Sequence, residues 1–237
     1  MFAVADGMGG QNAGEVASGL AVKTAREWLE NNSVENLSLT MVEELFAQAN
    51  QEIWSYAQSH PEASGMGTTL TLLLIEGDRA VVGHIGDSRL YRFRNNKLEQ
   101  LTNDHTLVGE QVRMGKLTIE QARVHPTRHI LSRVLGVRQF VNPDIFMLDL
   151  KENDLFLICS DGVSGMVEDK ILEKYLSEKD ASNLAKAIVD EANERGGKDN
   201  CTAVTVKIEK LPVAMPGRFS FDRLYSMLSH WKDAGTI

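Results

Sequence analysis

The chain opens inside an apolar run, Met1-Phe2-Ala3-Val4-Ala5, and similar runs return at residues 68–75, 79–85, 90–93, 155–159 and 202–208. Runs this continuous predict strands covered on both faces rather than half-exposed ones. Glu76-Gly77-Asp78 separates the second run from the third, and Arg94-Asn95-Asn96-Lys97 joins residues 90–93 to a further short run at 98–101; both are hairpin signals. Successive hairpins imply a largely antiparallel sheet.

A helical period governs three other stretches. From Glu15 to about Leu29, one broad face carries Val16, Leu20, Ala21, Ala25, Trp28 and Leu29. Val42, Leu45, Phe46, Ala49, Ile53 and Ala57 keep the i, i+3, i+4, i+7 spacing, and residues 181–195 do so through Leu184, Ala185, Ile188, Val189 and Ala192, with Asp180 placed as a cap. Helices in blocks beside antiparallel strands predict an α+β layered fold. Residues 104–136 differ: they are polar, carry His105, Arg113, Lys116, Arg123, His125, Arg128, His129 and Arg133, and show only short helical stretches. An insertion of that length between strands predicts a lid or binding loop. Beyond Lys210, residues 211–217 read as a linker, and Phe221, Leu224, Leu228 and Trp231 as one face of a short amphipathic tail helix, expected to dock on its own domain.

At 237 residues the chain suffices for one large domain or two small ones. A net charge of −8 argues against a nucleic-acid binder or a polybasic membrane anchor. The two cysteines, Cys159 and Cys201, sit in or beside apolar runs and read as small hydrophobes in a reducing compartment rather than as a disulfide. The longest apolar stretch, residues 70–75, is far too short to span a bilayer, and no secretory leader opens the chain, so a cytoplasmic location is expected.

Chemistry concentrates in three aspartates at the edges of strand-like runs: Asp6 in Val4-Ala5-Asp6-Gly7-Met8-Gly9-Gly10, Asp161 in Cys159-Ser160-Asp161-Gly162, and Asp199 in Gly197-Lys198-Asp199-Asn200. Singly, Asp-Gly marks a turn. Together in one cleft, such carboxylates repel unless cations neutralise them. Hard divalent ions suit oxygen ligands, and a two-ion site is a common device for phosphoryl-ester hydrolysis.

These blocks, with Gly14-Glu15-Val16-Ala17-Ser18, Gly65-Met66-Gly67-Thr68-Thr69, Gly86-Asp87-Ser88-Arg89 and Thr102-Asn103-Asp104-His105, resemble the bacterial metal-dependent Ser/Thr protein phosphatases of the 2C type over about residues 1–208. The resemblance implies a sandwich of two antiparallel β-sheets flanked by helices, with metals at one edge. It implies that Asp6 bridges two Mg²⁺ or Mn²⁺ ions, that Gly7 lends its backbone carbonyl, that Asp161 and Asp199 complete the ligands, and that Asp87 joins Asp161 in a third, weaker site. It also implies phosphorylated proteins as substrates, a bacterial Ser/Thr kinase as counterpart, and a flap at about residues 104–136. On this reading residues 1–210 form the catalytic domain, residues 211–237 a linker and tail, and the protein works as a monomer.

Members of that family carry an Arg that grips substrate phosphate, and an acidic block, before the first Asp-Gly. This sequence starts after both, so its substrate-binding residues stay unassigned and a sheet without that N-terminal strand is expected. The missing strand motivates an alternative, a catalytically impaired pseudophosphatase that binds phosphoproteins or a kinase; hydrolysis of small phosphate esters is a third reading. Where eukaryotic relatives have Asp-Gly-His this chain has Met8, and Gln11 stands where bacterial members often have His, leaving the general acid open.

Several residues have plainer readings. Asp87 could bind metal or cap a turn. Arg89 reads as a structural salt bridge before a substrate contact, and His105 as a hydrogen-bonded loop histidine before a proton shuttle. Thr68 and Thr69 need only β-branching in a strand to explain them. Gly9, Gly10 and Gly14 need only a tight turn past a ligand.

Overall fold

The computed structural model describes residues 1–9, 13–32, 37–178 and 183–212. The chain runs β1 (Phe2–Val4), β2 (Gly7–Met8), α1 (Ala13–Asn31), α2 (Leu39–Ser59), β3 (Gly67–Thr68), β4 (Leu70–Glu76), β5 (Arg79–Ile85), β6 (Arg89–Arg94) and β7 (Lys97–Gln100). It continues through α3 (Leu107–Arg113), α4 (Ile119–Val124), β8 (Asp144–Asp149), β9 (Leu155–Cys159), α5 (Asp161–Ser164), α6 (Asp169–Glu178), α7 (Leu184–Glu194) and β10 (Ala203–Lys207).

The strands form two antiparallel sheets, ordered β1-β4-β5-β8 and β10-β9-β6-β7, with β2 and β3 paired as a separate two-stranded ribbon. The continuous apolar runs are explained by period-two alternation between two buried surfaces. In β4, β5 and β9, Leu73, Ala80, Val82, Phe156 and Ile158 meet in the core between the sheets. Their neighbours Leu72, Leu74 and Val81 pack under α1 and α2. Leu155, Leu157 and Cys159 pack under α6 and α7 against Leu172, Leu176, Leu184, Ile188 and Ala192. The result is an α+β sandwich of two sheets flanked by helices.

The hairpins form where expected. Between β6 and β7, Asn95 and Asn96 take φ of 53° and 58°, the left-handed pair of a tight two-residue turn whose hand matches the strand twist. The α2 face is buried at every expected position. In α1 the buried stripe is instead Ala13, Ala17, Ala21, Thr24, Ala25 and Trp28, while Val16, Leu20 and Leu29 stand only half-buried at its margins. Small side chains on that stripe let α1 lie close to α2, which outweighs burying the larger residues.

Three further departures have physical reasons. The run at 68–75 is not one strand: it breaks at Thr69, whose backbone turns to bond Asp6. Strand β8, which the sequence reading lacks, is, among the described residues, an edge strand paired only with β5 and half-exposed, so its apolar stretch carries no clear period. Helix α7 begins at Leu184 after Asn183, and the expected cap Asp180 lies outside the described residues, as do Gly10, Gln11 and residues 213–237. Between β7 and β8, residues 104–136 hold α3 and α4, each started by a threonine, Thr106 or Thr118, accepting from the helix's first-turn backbone. This segment is stitched at its base by Thr106 pairing with Leu131 and Leu135 with Thr68.

Gly83 marks where α2 meets the first sheet. A Cβ there would lie 2.4 Å from Phe46 Cε2 and 2.7 Å from Val42 Cγ1, too close for packed side chains. Gly19, on an open face of α1, has no neighbour within 4 Å of such a Cβ. The two positions are expected to respond with opposite sign in urea denaturation: Gly83→Ala loses about 1–3 kcal/mol to overpacking, and Gly19→Ala gains about 0.5–1 kcal/mol from reduced chain entropy.

Candidate active site

All four expected carboxylates lie at one end of the sandwich, and strand register puts them there. Asp6 follows β1, whose last residue Val4 faces Thr71 near the start of β4. Asp87 sits in the turn joining the end of β5 to the start of β6. Asp161 follows β9, whose last residue Cys159 faces both Arg89 and Ala203. Asp199 lies in the loop that enters β10 just before Ala203.

Two close backbone contacts bring these loops together. A Cβ on Gly162 would sit 2.3 Å from Asn200 O, so only glycine lets the Asp161 loop rest on the Asp199 loop. Ser160 reinforces the seam: its Oγ donates to Asn200 O (3.1 Å) and accepts from Thr202 N (3.1 Å). Gly7 and Gly14 make the second contact, since a Cβ on Gly7 would fall 1.8 Å from Gly14 O. The start of α1 thereby presses against the backbone that follows Asp6.

Threonines fix Asp6 itself. Thr69 Oγ1 accepts from Asp6 N (2.9 Å), Thr69 N donates to Asp6 O (2.9 Å), and Thr68 Oγ1 lies 2.9 Å from the same oxygen. Sequence reasoning assigned Thr68 and Thr69 to β-branching alone and did not single out Ser88, Ser160 or Asn200. Nothing in a hydrophobic pattern separates a threonine that packs from one whose hydroxyl holds a loop.

The electrostatics reflect the crowding. The Asp6 carboxyl is pushed up from 3.8 to about 7, by burial first, then by the charge of Asp161 and a hydrogen bond with it, then by Asp199. Asp87 is pushed up to about 8, by burial first and then by Asp161, Asp104 and Asp6. Asp6, Asp87 and Asp161 are half-buried and Asp199 is exposed. Among the described residues no three His, Cys, Asp or Glu side chains close on a single point as a finished cage. Carboxylates that hold protons to near neutrality are nonetheless the donor set that a hard divalent ion suits. Mg²⁺ in particular is commonly held by one or two carboxylates while water fills its remaining positions.

The plainer readings of neighbouring residues hold. Arg89 forms a two-pronged ion pair with Asp104 (Nε–Oδ1 2.8 Å, Nη2–Oδ2 2.7 Å) and donates to Tyr91 Oη (2.9 Å). His105 is fully buried, with Nδ1 accepting from Gly86 N (3.2 Å), so its proton sits on Nε2 facing Asp144 Oδ2 at 3.1 Å. A ring so engaged is not placed to protonate a leaving group. His84, its ring 4.6 Å from that of His105, is pushed down to about 4 by burial and then by its neighbour. Met8 is exposed, and neither it nor Gly9 contributes a titrating group.

A family model for protein phosphatase 2C matches residues 1–199 of this chain. The chain belongs to the protein phosphatase 2C family. It is 39% identical over 209 residues to the serine/threonine phosphatase stp of Listeria monocytogenes, covering 86% of this chain and 82% of that protein. It is 36% identical over 208 residues to the serine/threonine protein phosphatase PstP of Mycobacterium tuberculosis, covering 88% of this chain and 40% of that longer protein. Its fold superposes on the PstP catalytic domain in complex with two manganese ions with a TM-score of 0.80 at 34% identity, covering 88% of this chain and 87% of the other. With the phosphatase Stp1 of Staphylococcus aureus the TM-score is 0.83 at 32% identity, covering 88% and 83%. The 2C-type sandwich inferred from the motif blocks is therefore the fold this family shares.

The raised acids predict a pH signature for the metal-free enzyme. Between about pH 6.5 and 8 the folded state retains protons on Asp6 and Asp87 that the unfolded chain, with acids near 3.8, has released. Stability in EDTA therefore falls as pH rises through that window. Below 6.5 the lowered His84 and His105 act with opposite sign, since the unfolded chain then binds the extra protons. The melting temperature in EDTA is expected to decline between about pH 6.5 and 8. Saturating Mn²⁺ should abolish that decline, which differential scanning fluorimetry measures.

Proposed function

We propose that this 2C-family chain hydrolyses phosphoserine and phosphothreonine in proteins at a binuclear Mn²⁺ or Mg²⁺ centre. The observation that carries the reading is the meeting of Asp6, Asp161 and Asp199 from three separate loops, with two of the four clustered acids forced to hold protons near neutrality. Asp6, the Gly7 carbonyl, Asp161 and Asp199 would hold the two ions, and Asp87 with Asp161 a third. Bound there, divalent ions supply a water activated for attack on phosphorus and neutralise charge on the phosphoryl oxygens.

The chain's own residues do the rest. Thr68 and Thr69 set the direction of Asp6, and the Ser160–Asn200 seam keeps Asp161 beside Asp199. Arg89 is committed to Asp104 and steadies the turn after Asp87 instead of reaching for phosphate. Residues 104–136, exposing Met114, Ile119 and Val124 among several cations, fit the flap over which a phosphoprotein segment would lie. We assign residues 1–210 to the catalytic domain and 211–237 to a linker and tail.

A protein that removes phosphate from serine and threonine needs a kinase that places it there, and a bacterial Ser/Thr kinase is the counterpart we infer. No helix among the described residues is long and apolar enough to cross a membrane. Two free cysteines, one fully buried, fit a reducing cytoplasm. Because every candidate ligand comes from one chain, a monomer is sufficient for activity.

Asp161→Asn is expected to lower kcat for Mn²⁺-dependent hydrolysis of a phosphothreonine peptide by at least about 100-fold, with an unchanged far-ultraviolet circular dichroism spectrum. Full activity in that variant removes Asp161 from the catalytic set. Calorimetric titration with Mn²⁺ separates the enzyme from a binding-only module, since the former binds the ion and turns over.

A further inference from the structure

We propose that the Thr69 hydroxyl is a positioning group for the phosphatase reaction, tying the backbone that carries Asp6 to the turn that carries Asp87. The inference rests on the metal-centre reading above and extends it to a residue that touches neither substrate nor ion.

Thr69 lies in the break between β3 and β4 and is only 2% exposed. Its two hydrogen bonds to Asp6, from the backbone N–H and to the side-chain oxygen, clasp both sides of one residue and stop its backbone from turning. Asp6 N–H can only donate, so Thr69 Oγ1 accepts there and meets Ser88 Oγ at 2.8 Å with its remaining capacity. Ser88 is fully buried, and its carbonyl accepts from Thr71 Oγ1 at 3.0 Å. The methyl group of Thr69 faces the other flank of the same turn. Gly86 has φ +108°, and a Cβ on it would lie 2.4 Å from Thr69 Cγ2. One side chain thus contacts the residue before Asp87, the residue after it, and the amide of Asp6.

Groups behind a metal's direct ligands commonly orient them, and their loss lowers metal affinity without removing a ligand. A buried threonine that merely filled space would affect folding stability alone. The distinction is between hydroxyl and methyl. Thr69→Val keeps the shape and the contact with Gly86 but leaves the Asp6 amide and Ser88 without their partner. Thr69→Ser keeps the hydroxyl and loses the methyl.

The test combines calorimetric titration of the folded protein with Mn²⁺, steady-state kinetics on a phosphothreonine peptide, and amide hydrogen exchange at Asp6 in EDTA. Thr69→Val is expected to raise the Mn²⁺ Kd by about 10–100-fold, to lower kcat with KM unchanged, and to speed exchange of the Asp6 amide; Thr69→Ser restores all three. Wild-type Mn²⁺ affinity in Thr69→Val, or equal damage in Thr69→Ser, overturns the proposal. Should Thr69→Val fail to fold, Ser88→Ala cuts the same tie from the Asp87 side. An unchanged Mn²⁺ Kd there overturns the proposal, and a raised one supports it. If the wild-type protein takes up no Mn²⁺, the metal-centre reading falls. The exchange measurement then decides the tie by itself, since faster exchange in Thr69→Val sustains it and unchanged exchange ends it.

Discussion

Acidic side chains gathered at one end of a β-sandwich repel one another, and every feature of that end either tolerates or relieves the repulsion. Burial lifts Asp6 and Asp87 toward neutrality before any neighbour is counted, and the charges of Asp161, Asp199 and Asp104 lift them further. Such a cluster is unfavourable in isolation, because each acid gives up hydration without gaining a positive partner. Arg89, two positions after Asp87, is spent on Asp104 instead. A site held in this state is poised for hard cations and is the part of the molecule least concerned with its own stability.

The rigidity needed to hold that arrangement comes from the polar groups behind it. Glycines let backbones touch where loops cross, at Gly7 with Gly14 and at Gly162 with Asn200. Short hydroxyl side chains then bond the touching loops, Thr68 and Thr69 around Asp6 and Ser160 between Asp161 and Asp199. A second buried layer lies beneath. His84 bonds Thr71 and the Asn103 carbonyl, and His105 bonds Gly86 and Asp144, so residues 103–105 are fastened to β5 and the Asp87 turn. Because both rings are held neutral by burial, this layer adds order without adding charge to a crowded site.

Much of this was legible in the chain. The unbroken apolar runs correctly implied the strands covered on both faces at β4, β5 and β9, whereas β1, β6 and β10 are partly exposed, and the Asn95-Asn96 pair marked its hairpin turn. The α2 stripe was readable residue by residue. Asp6, Asp87, Asp161 and Asp199 were identified by their glycine-flanked blocks. The face of α1 was read in part: Ala21, Ala25 and Trp28 are buried as expected, but hydrophobicity ranks Leu20 and Val16 above alanine, whereas close helix packing buries Ala13 and Ala17 in their place. Strand β8 escaped notice because an edge strand, half-exposed, lacks a period to read.

The sequence alone determined the alternation of strands and helices, the family blocks and the identity of the acids, since each depends on spacing within a short stretch. Tertiary structure decided which side chains hold those acids in place. Thr69 reaches an amide 63 positions away and Ser160 a carbonyl 40 positions away, contacts that exist only once β1 has paired with β4 and β9 with β10. Local pattern records what a residue prefers, and it carries no trace of a hydroxyl's partner across such a distance.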